Sequence, residues 1–256
     1  MKVLLTLDGT TAAGGTPLVL HNERLADPLD EYTRAVSRIA KKKNKTDADH
    51  LEIGRLEFLG GLYVDNRGPC LPAFNILRCL QEAAKRTKRG RDVLRGVSPI
   101  LQTASLAYKG PRNPEEMWRS GQYALRKSVG VKGNRTMRTR PIFVDWSAVL
   151  PMQVDPTIFD PDVLAAIWKD AGIYEGMCEM RPIYGRFSGT LTEWTIRTDD
   201  GIGEAAWKLA TAIAAQRIEE QDGDRREAHG PVEELIRGAL ARAKAIGTVA
   251  EKVAAK

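Results

Sequence analysis

Three histidines, three cysteines and one dense run of arginines and lysines are the side chains in this sequence with chemistry to offer. His21, His50 and His229 stand far apart and form no His-x-x-x-His or other ligand spacing, so no metal site is expected. His21 follows a predicted strand and neighbours Asn22, a place where a general base can sit. It is the one weak catalytic candidate, and a strand-end histidine held by a structural hydrogen bond is the plainer reading. The chain has no Gly-x-x-x-x-Gly-Lys-Ser/Thr phosphate loop and no Gly-x-Ser-x-Gly nucleophile elbow. No cofactor is expected. Cys70, Cys79 and Cys178 are odd in number and lack a Cys-x-x-Cys pair, which reads as reduced, buried thiols. The acidic pairs Asp47/Asp49 and Asp160/Asp162 read as helix caps, and Asp199/Asp200 as a turn.

The basic run carries the strongest signal. Residues 85–140 hold 15 Lys/Arg against 3 Asp/Glu, a local net of +12, inside a chain whose whole net is +6. Such a block implies a polyanion partner. The candidate phosphate-binding residues are Lys85, Arg86, Lys88, Arg89, Arg91, Arg95, Lys132, Arg135, Arg138 and Arg140. Guanidinium and ammonium groups give charge-assisted bonds to phosphate, and counterion release adds affinity without sequence preference. Gly130 and Gly133 space residues 129–140 as an extended arm that can lie close to a backbone. Tyr108, Trp118 and Tyr123 lie near enough in sequence to stack on bases, or to be core.

These residues need a scaffold, and the pattern of apolar residues supplies one. Ile142 to Val154 alternates with period 2, as a strand does. Asp160-Pro161 caps and opens a helix bearing Val163, Leu164, Ile167 and Trp168, with Gly172 as its stop. Phe187 to Trp194 alternates again. Strand, helix and returning strand form the unit of an open α/β sheet.

Upstream, residues 2–7 and 17–20 read as strands. Asp27-Pro28 opens a helix to about Ala40, and Thr46 starts another that Gly60-Gly61 breaks. Leu62–Asp65 is a short strand, and a third helix runs from Ile76 to about Lys88. Leu101–Tyr108 is a further strand and Glu115–Trp118 a helical turn. Glu204–Glu219 is an Ala-rich helix. Gln221–His229 is a charged linker, and Pro231–Lys256 is more helix. The expectation is an α+β protein with a ferredoxin-like or RRM-like sheet drawn from residues 2–20, 141–154 and 186–195, and a fourth strand from 62–72 or 101–108. A basic insertion spans about 85–140, and a helical appendix spans 196–256.

Two stretches resemble a family. Gly68-Pro-Cys-Leu-Pro-Ala-Phe-Asn-Ile-Leu-Arg-Cys-Leu-Gln-Glu-Ala-Ala84 is similar to the segment of repeat-associated (RAMP) proteins in which a short strand and a proline turn open a helix; Leu71-Pro72 match, and Ala73 replaces the family glycine. Pro182-Ile-Tyr-Gly-Arg-Phe187 resembles the Gly-Arg-Phe that leads into the last strand of their RRM-like domain. The resemblance implies the fold of CRISPR effector backbone subunits, which bind guide RNA and stack side by side. The chain also resembles uncharacterised proteins of tailed phages and prophages, through Leu56–Tyr63 and Met137–Phe143.

The resulting expectation is a non-catalytic protein that binds single-stranded RNA or DNA and assembles as a homo-oligomer or larger ribonucleoprotein. Two other readings stand beside it: a phage structural or host-defence-blocking protein with a protein partner, and a metal-independent ribonuclease using His21. No apolar run approaches the ~20 residues that span a bilayer, so no membrane partner is expected and a cytoplasmic location follows by default.

Overall fold

The computed structural model describes residues 1–131, 134–194 and 201–222. In chain order, strand β1 is Lys2–Asp8 and β2 is Leu18–Val19; helix α1 is Glu31–Ala40 and α2 is Asp47–Gly61. Strands β3 (Val64–Asp65) and β4 (Gly68–Pro72) lead into α3 (Ala73–Lys85) and α4 (Gly90–Gly96). Then come β5 (Val97–Pro99), β6 (Thr103–Ser105), α5 (Pro114–Ser120), β7 (Ala124–Val131) and β8 (Asn134–Phe143). The chain continues through β9 (Ser147–Val154), α6 (Pro161–Asp170), β10 (Ser188–Glu193) and α7 (Ile202–Asp222).

The protein is mixed α/β with antiparallel sheets. The main sheet has the order β10-β1-β9-β5, and each neighbouring pair is antiparallel. A second sheet has the order β2-β8-β7 and a third β3-β4-β6. Period-2 alternation sends Val3, Leu5 and Leu7 of β1, with Ala148, Leu150 and Met152 of β9, to one face of the main sheet. There they join Ile76 and Leu80 of α3 and Leu164, Ile167 and Trp168 of α6 in one core. Leu4 and Val149 point the other way and meet Ile202, Ala206, Leu209, Ala210 and Ile213 of α7. Thus α7 covers the second face, and Ser147 Oγ donates to the carbonyl of Ala210 at 2.6 Å.

Several expected elements stand where their caps put them. Thr46 and Asp49 close a capping box at the start of α2, and Asp160 accepts from the amides of Asp162 and Val163 with Pro161 at the first helical position. Others need correction. The fourth strand of the main sheet is β5, outside both expected ranges, because the 62–72 and 103–105 strands pair with each other instead. Residues 17–20 belong to the second sheet. The expected strand over 141–154 is two strands in two sheets. It breaks where Trp146 turns into the core and donates from Nε1 to Thr16 O at 3.1 Å, while Asp145 accepts from the Thr11 amide at 2.7 Å. The first expected helix begins at Glu31 with Asp30 as its N-cap, not at Asp27, and a further helix stands at residues 90–96 where none was expected. Lys132, Gly133, Asp199, Asp200, His229, most of the charged linker and the final Pro231–Lys256 helix lie outside the described residues.

Candidate nucleic-acid interface

From Glu116 to Asp145 the chain between these two acids contains no acidic residue and seven Lys/Arg. The extended arm expected over residues 129–140 is divided between the end of β7 and most of β8, which form a hairpin paired from Ala124↔Pro141 to Val131↔Asn134. The pairing supplies the backbone partners that a lone arm would lack. Alternation places Lys127, Arg138 and Arg140 on one face, and Arg126 and Arg135 on the other. Lys127 stands directly opposite Arg138, and like charges so placed weaken a sheet. Each is drawn aside: Arg138 donates to Glu57, and the Lys127 ammonium lies 5.3 Å from the centre of the Tyr184 ring. Arg126 and Arg135 are exposed and form no ion pair among the described residues.

The hairpin is seated on α2. Glu57 is 4% exposed; besides Arg138, it accepts from the Thr139 amide at 2.8 Å, on the open edge of β8. A β-carbon at Gly54 would lie 3.0 Å from Thr139 Oγ1, and one at Gly61 would lie 2.9 Å from Pro141 Cδ. Gly60 and Gly61 sit inside the last turn of α2, so their absence of side chains serves close approach.

Along one side of the hairpin a cleft of ≈ 450 Å³ is lined by His21, Glu57, Arg138, Arg140 and Glu179, with apolar walls from Leu25, Val36 and Val129. Arg140 is 8% exposed, and its Nε has no hydrogen-bond partner among the described residues; the same holds for His21 Nδ1. Burial, then the charge of Arg140, lowers the His21 pKa and favours neutral imidazole. His21 thus meets the hairpin arginines, a juxtaposition invisible in sequence.

The other half of the basic set is held elsewhere, on α3 and on α4, which borders β5. Much of it is engaged locally. Lys85 pairs with Glu82 at 2.6 Å, and the Arg86 guanidinium sits 4.3 Å from the Tyr174 ring centre. Arg89 donates to Ile158 O and Asp92 and covers the Phe159 ring. Lys88, in the left-handed region at φ 63°, ends the turn. Arg91 and Arg95 remain exposed. The ten cations therefore do not form one surface, whereas Arg135, Arg138 and Arg140 share a strand. Lys132 lies outside the described residues.

Sequence reasoning passed over Arg126 and Lys127, which the acid-free run and the alternation of β7 mark. It also passed over Glu57 and Glu179, for which no sequence signal existed. The aromatic candidates are packing residues: Tyr123 is buried against Tyr108 and Phe143, and Trp118 packs on Phe58. Cys70 and Cys79 are buried, and burial pushes the Cys70 thiol up to about 12 and raises Cys79 as well, which denies both a thiolate near neutral pH. No helix of the described residues is long and apolar enough to cross a membrane. Compared with protein-family models and with curated proteins, the chain matches none.

Proposed function

We propose that this protein binds the sugar–phosphate backbone of single-stranded nucleic acid, RNA in the first instance, without cleaving it. The observation that carries the reading is the β7–β8 hairpin: exposed Arg126, Lys127 and Arg135 on an acid-free stretch, seated firmly on α2. Arg126 and Arg135 on one face of the paired ribbon, with Lys127 on the other, offer charges that can neutralise the repeating charge of a backbone.

The order β10-β1-β9-β5 supports a ferredoxin-like or RRM-like reading of the main sheet. Helices α3 and α4 lie between β1 and β5 in sequence, and α6 joins β9 to β10, two parallel strands with β1 between them. An RRM uses the helix-free face of its sheet to stack bases. Here α7 occupies that face, so the reading moves the contact to the hairpin. A RAMP-type backbone subunit, several copies tracking one strand, is the form of the proposal that the sequence resemblance suggests.

Fluorescence anisotropy with a labelled single-stranded RNA tests it. Changing Arg126, Lys127 and Arg135 to Gln together should weaken binding by at least about tenfold at low salt while the melting temperature holds. Equal affinity of variant and wild type contradicts the proposal.

A second reading, a metal-independent ribonuclease, draws on the neutral His21 beside Arg138 and Arg140. Labelled RNA that is cleaved by the wild type without metal, and spared by His21→Ala, would establish it in place of the first.

A further inference from the structure

We propose that the cleft beside the hairpin is a base pocket that takes a guanine from the bound strand, with Arg140 reading one edge and Glu179 the other. The inference rests on the strand-binding reading and adds a specificity to it.

Arg140 is the starting point. The residue is 8% exposed, its Nε is buried without a hydrogen-bond partner, and the side chain makes no ion pair among the described residues. A buried cation with unused donors is costly unless something supplies acceptors. Glu179 lines the same cleft and likewise forms no ion pair with either arginine among the described residues. The two opposite charges face one space without closing on each other. The backbone holds Glu179 there: its amide donates to Val19 O at 3.0 Å, and its neighbours Cys178 and Met180 both occupy the left-handed region, at φ 60° and 58°. Two non-glycine residues in that region store strain of the kind found at ligand sites.

The chemistry of the lining selects the occupant. A phosphate would meet donors from Arg138 and Arg140 but also two carboxylates, Glu57 and Glu179. A guanine presents acceptors O6 and N7 on one edge and donors N1–H and N2–H on another, which suits an arginine on one side and a carboxylate on the other. Adenine puts a donor amino group where guanine has O6, so it would set donor against donor at Arg140. Leu25, Val36 and Val129 offer apolar surface for the faces of the ring. The volume, ≈ 450 Å³, lies within the roughly 300–1,000 Å³ of small-ligand clefts. Val129 and Gly130 belong both to the cleft and to the hairpin, so a strand lying on β7 can turn a base inward without leaving it.

Two arms test this and separate it from the strand-binding claim. In the first, anisotropy compares a uridine dodecamer with the same strand carrying one central guanine, adenine, inosine or 7-deazaguanine. Guanine should raise affinity on the order of tenfold over adenine. Inosine and 7-deazaguanine should each lose part of that gain, and Glu179→Gln should bring the ratio of guanine to adenine affinity close to one. In the second, guanosine, adenosine and inorganic phosphate are titrated separately and followed by the NMR signals of His21. Guanosine alone should shift them. Strand binding without base preference, together with silent His21 signals, overturns the pocket and leaves the hairpin claim standing. Guanosine binding without strand binding does the reverse. A response to phosphate alone, or a preference for a phosphorylated strand end that Glu179→Gln preserves, also overturns the base reading.

Discussion

Glu57 joins the hairpin to the rest of the molecule at the residue scale. It is buried on α2 and holds both the Arg138 side chain and the Thr139 amide. Replacing it with Ala leaves a buried amide and a half-buried guanidinium without their acceptor, which should cost about 2–4 kcal/mol, read by urea denaturation. Glu57→Gln keeps an acceptor and should cost less; equal losses would mean that the charge, not the hydrogen bonds, matters. His21 makes a separate prediction. Its pKa is lowered in the fold, mainly by burial, so the unfolded chain binds more protons over the window between the lowered value and the ordinary one near 6.5. The stability it contributes is present above that window and is lost as pH falls through it. Urea titrations at pH values of about 7.5 and 5 should show a drop in the wild type that is smaller in His21→Asn. Identical pH dependence in the two would contradict the assignment.

Elements show how much of the molecule was legible. Capped, periodic segments were readable: Thr46 with Asp49, Asp160-Pro161 and the alternation of residues 188–193 each act within one turn or strand. What failed was pairing. Nothing local tells residues 141–143 and 147–154 that they serve different sheets; the division comes from Trp146, whose burial and bond to Thr16 depend on chain more than a hundred residues away. Likewise β5 is three residues long and becomes a strand only because Met152–Val154 offers it an edge. The candidate site divides the same way. Basic composition marked the hairpin arginines, while the carboxylates beside them come from distant elements and left no trace in the local pattern. The seat of the hairpin on α2 is an element-scale contact that can be tested. Gly61→Leu would drive side-chain atoms into Pro141, where even a β-carbon would sit 2.9 Å from Cδ. The cost should be about 1–3 kcal/mol, with faster amide exchange in β8 than in β1. Uniform exchange across both strands would argue that α2 does not seat the hairpin.

Taken whole, the molecule uses both faces of its main sheet for packing. Helices α3 and α6 fill one and α7 fills the other, so the sheet itself offers no open platform. Ile213, 1% exposed between α7 and the sheet, is a sensitive probe of that cover. Ile213→Asp should destabilise by about 3 kcal/mol or more, seen as a lower melting temperature. The described part of the appendix packs one face on its own chain, so residues beyond Asp222 are the part of it to test for copy-to-copy contact. Light scattering on the full chain and on a chain ending at Asp222, each with a long single-stranded RNA, should show larger assemblies for the full chain; equal sizes would remove residues 223–256 from that role. The central claim concerns the hairpin, and the salt dependence of binding tests it most directly. For the wild type and for the Arg126, Lys127 and Arg135 triple variant, log K should fall linearly with log salt concentration. The variant's slope should be shallower by about 0.7 for each phosphate it no longer neutralises, or roughly two in all. Parallel lines of equal slope would contradict the account, because the hairpin cations would then make no contact with the backbone.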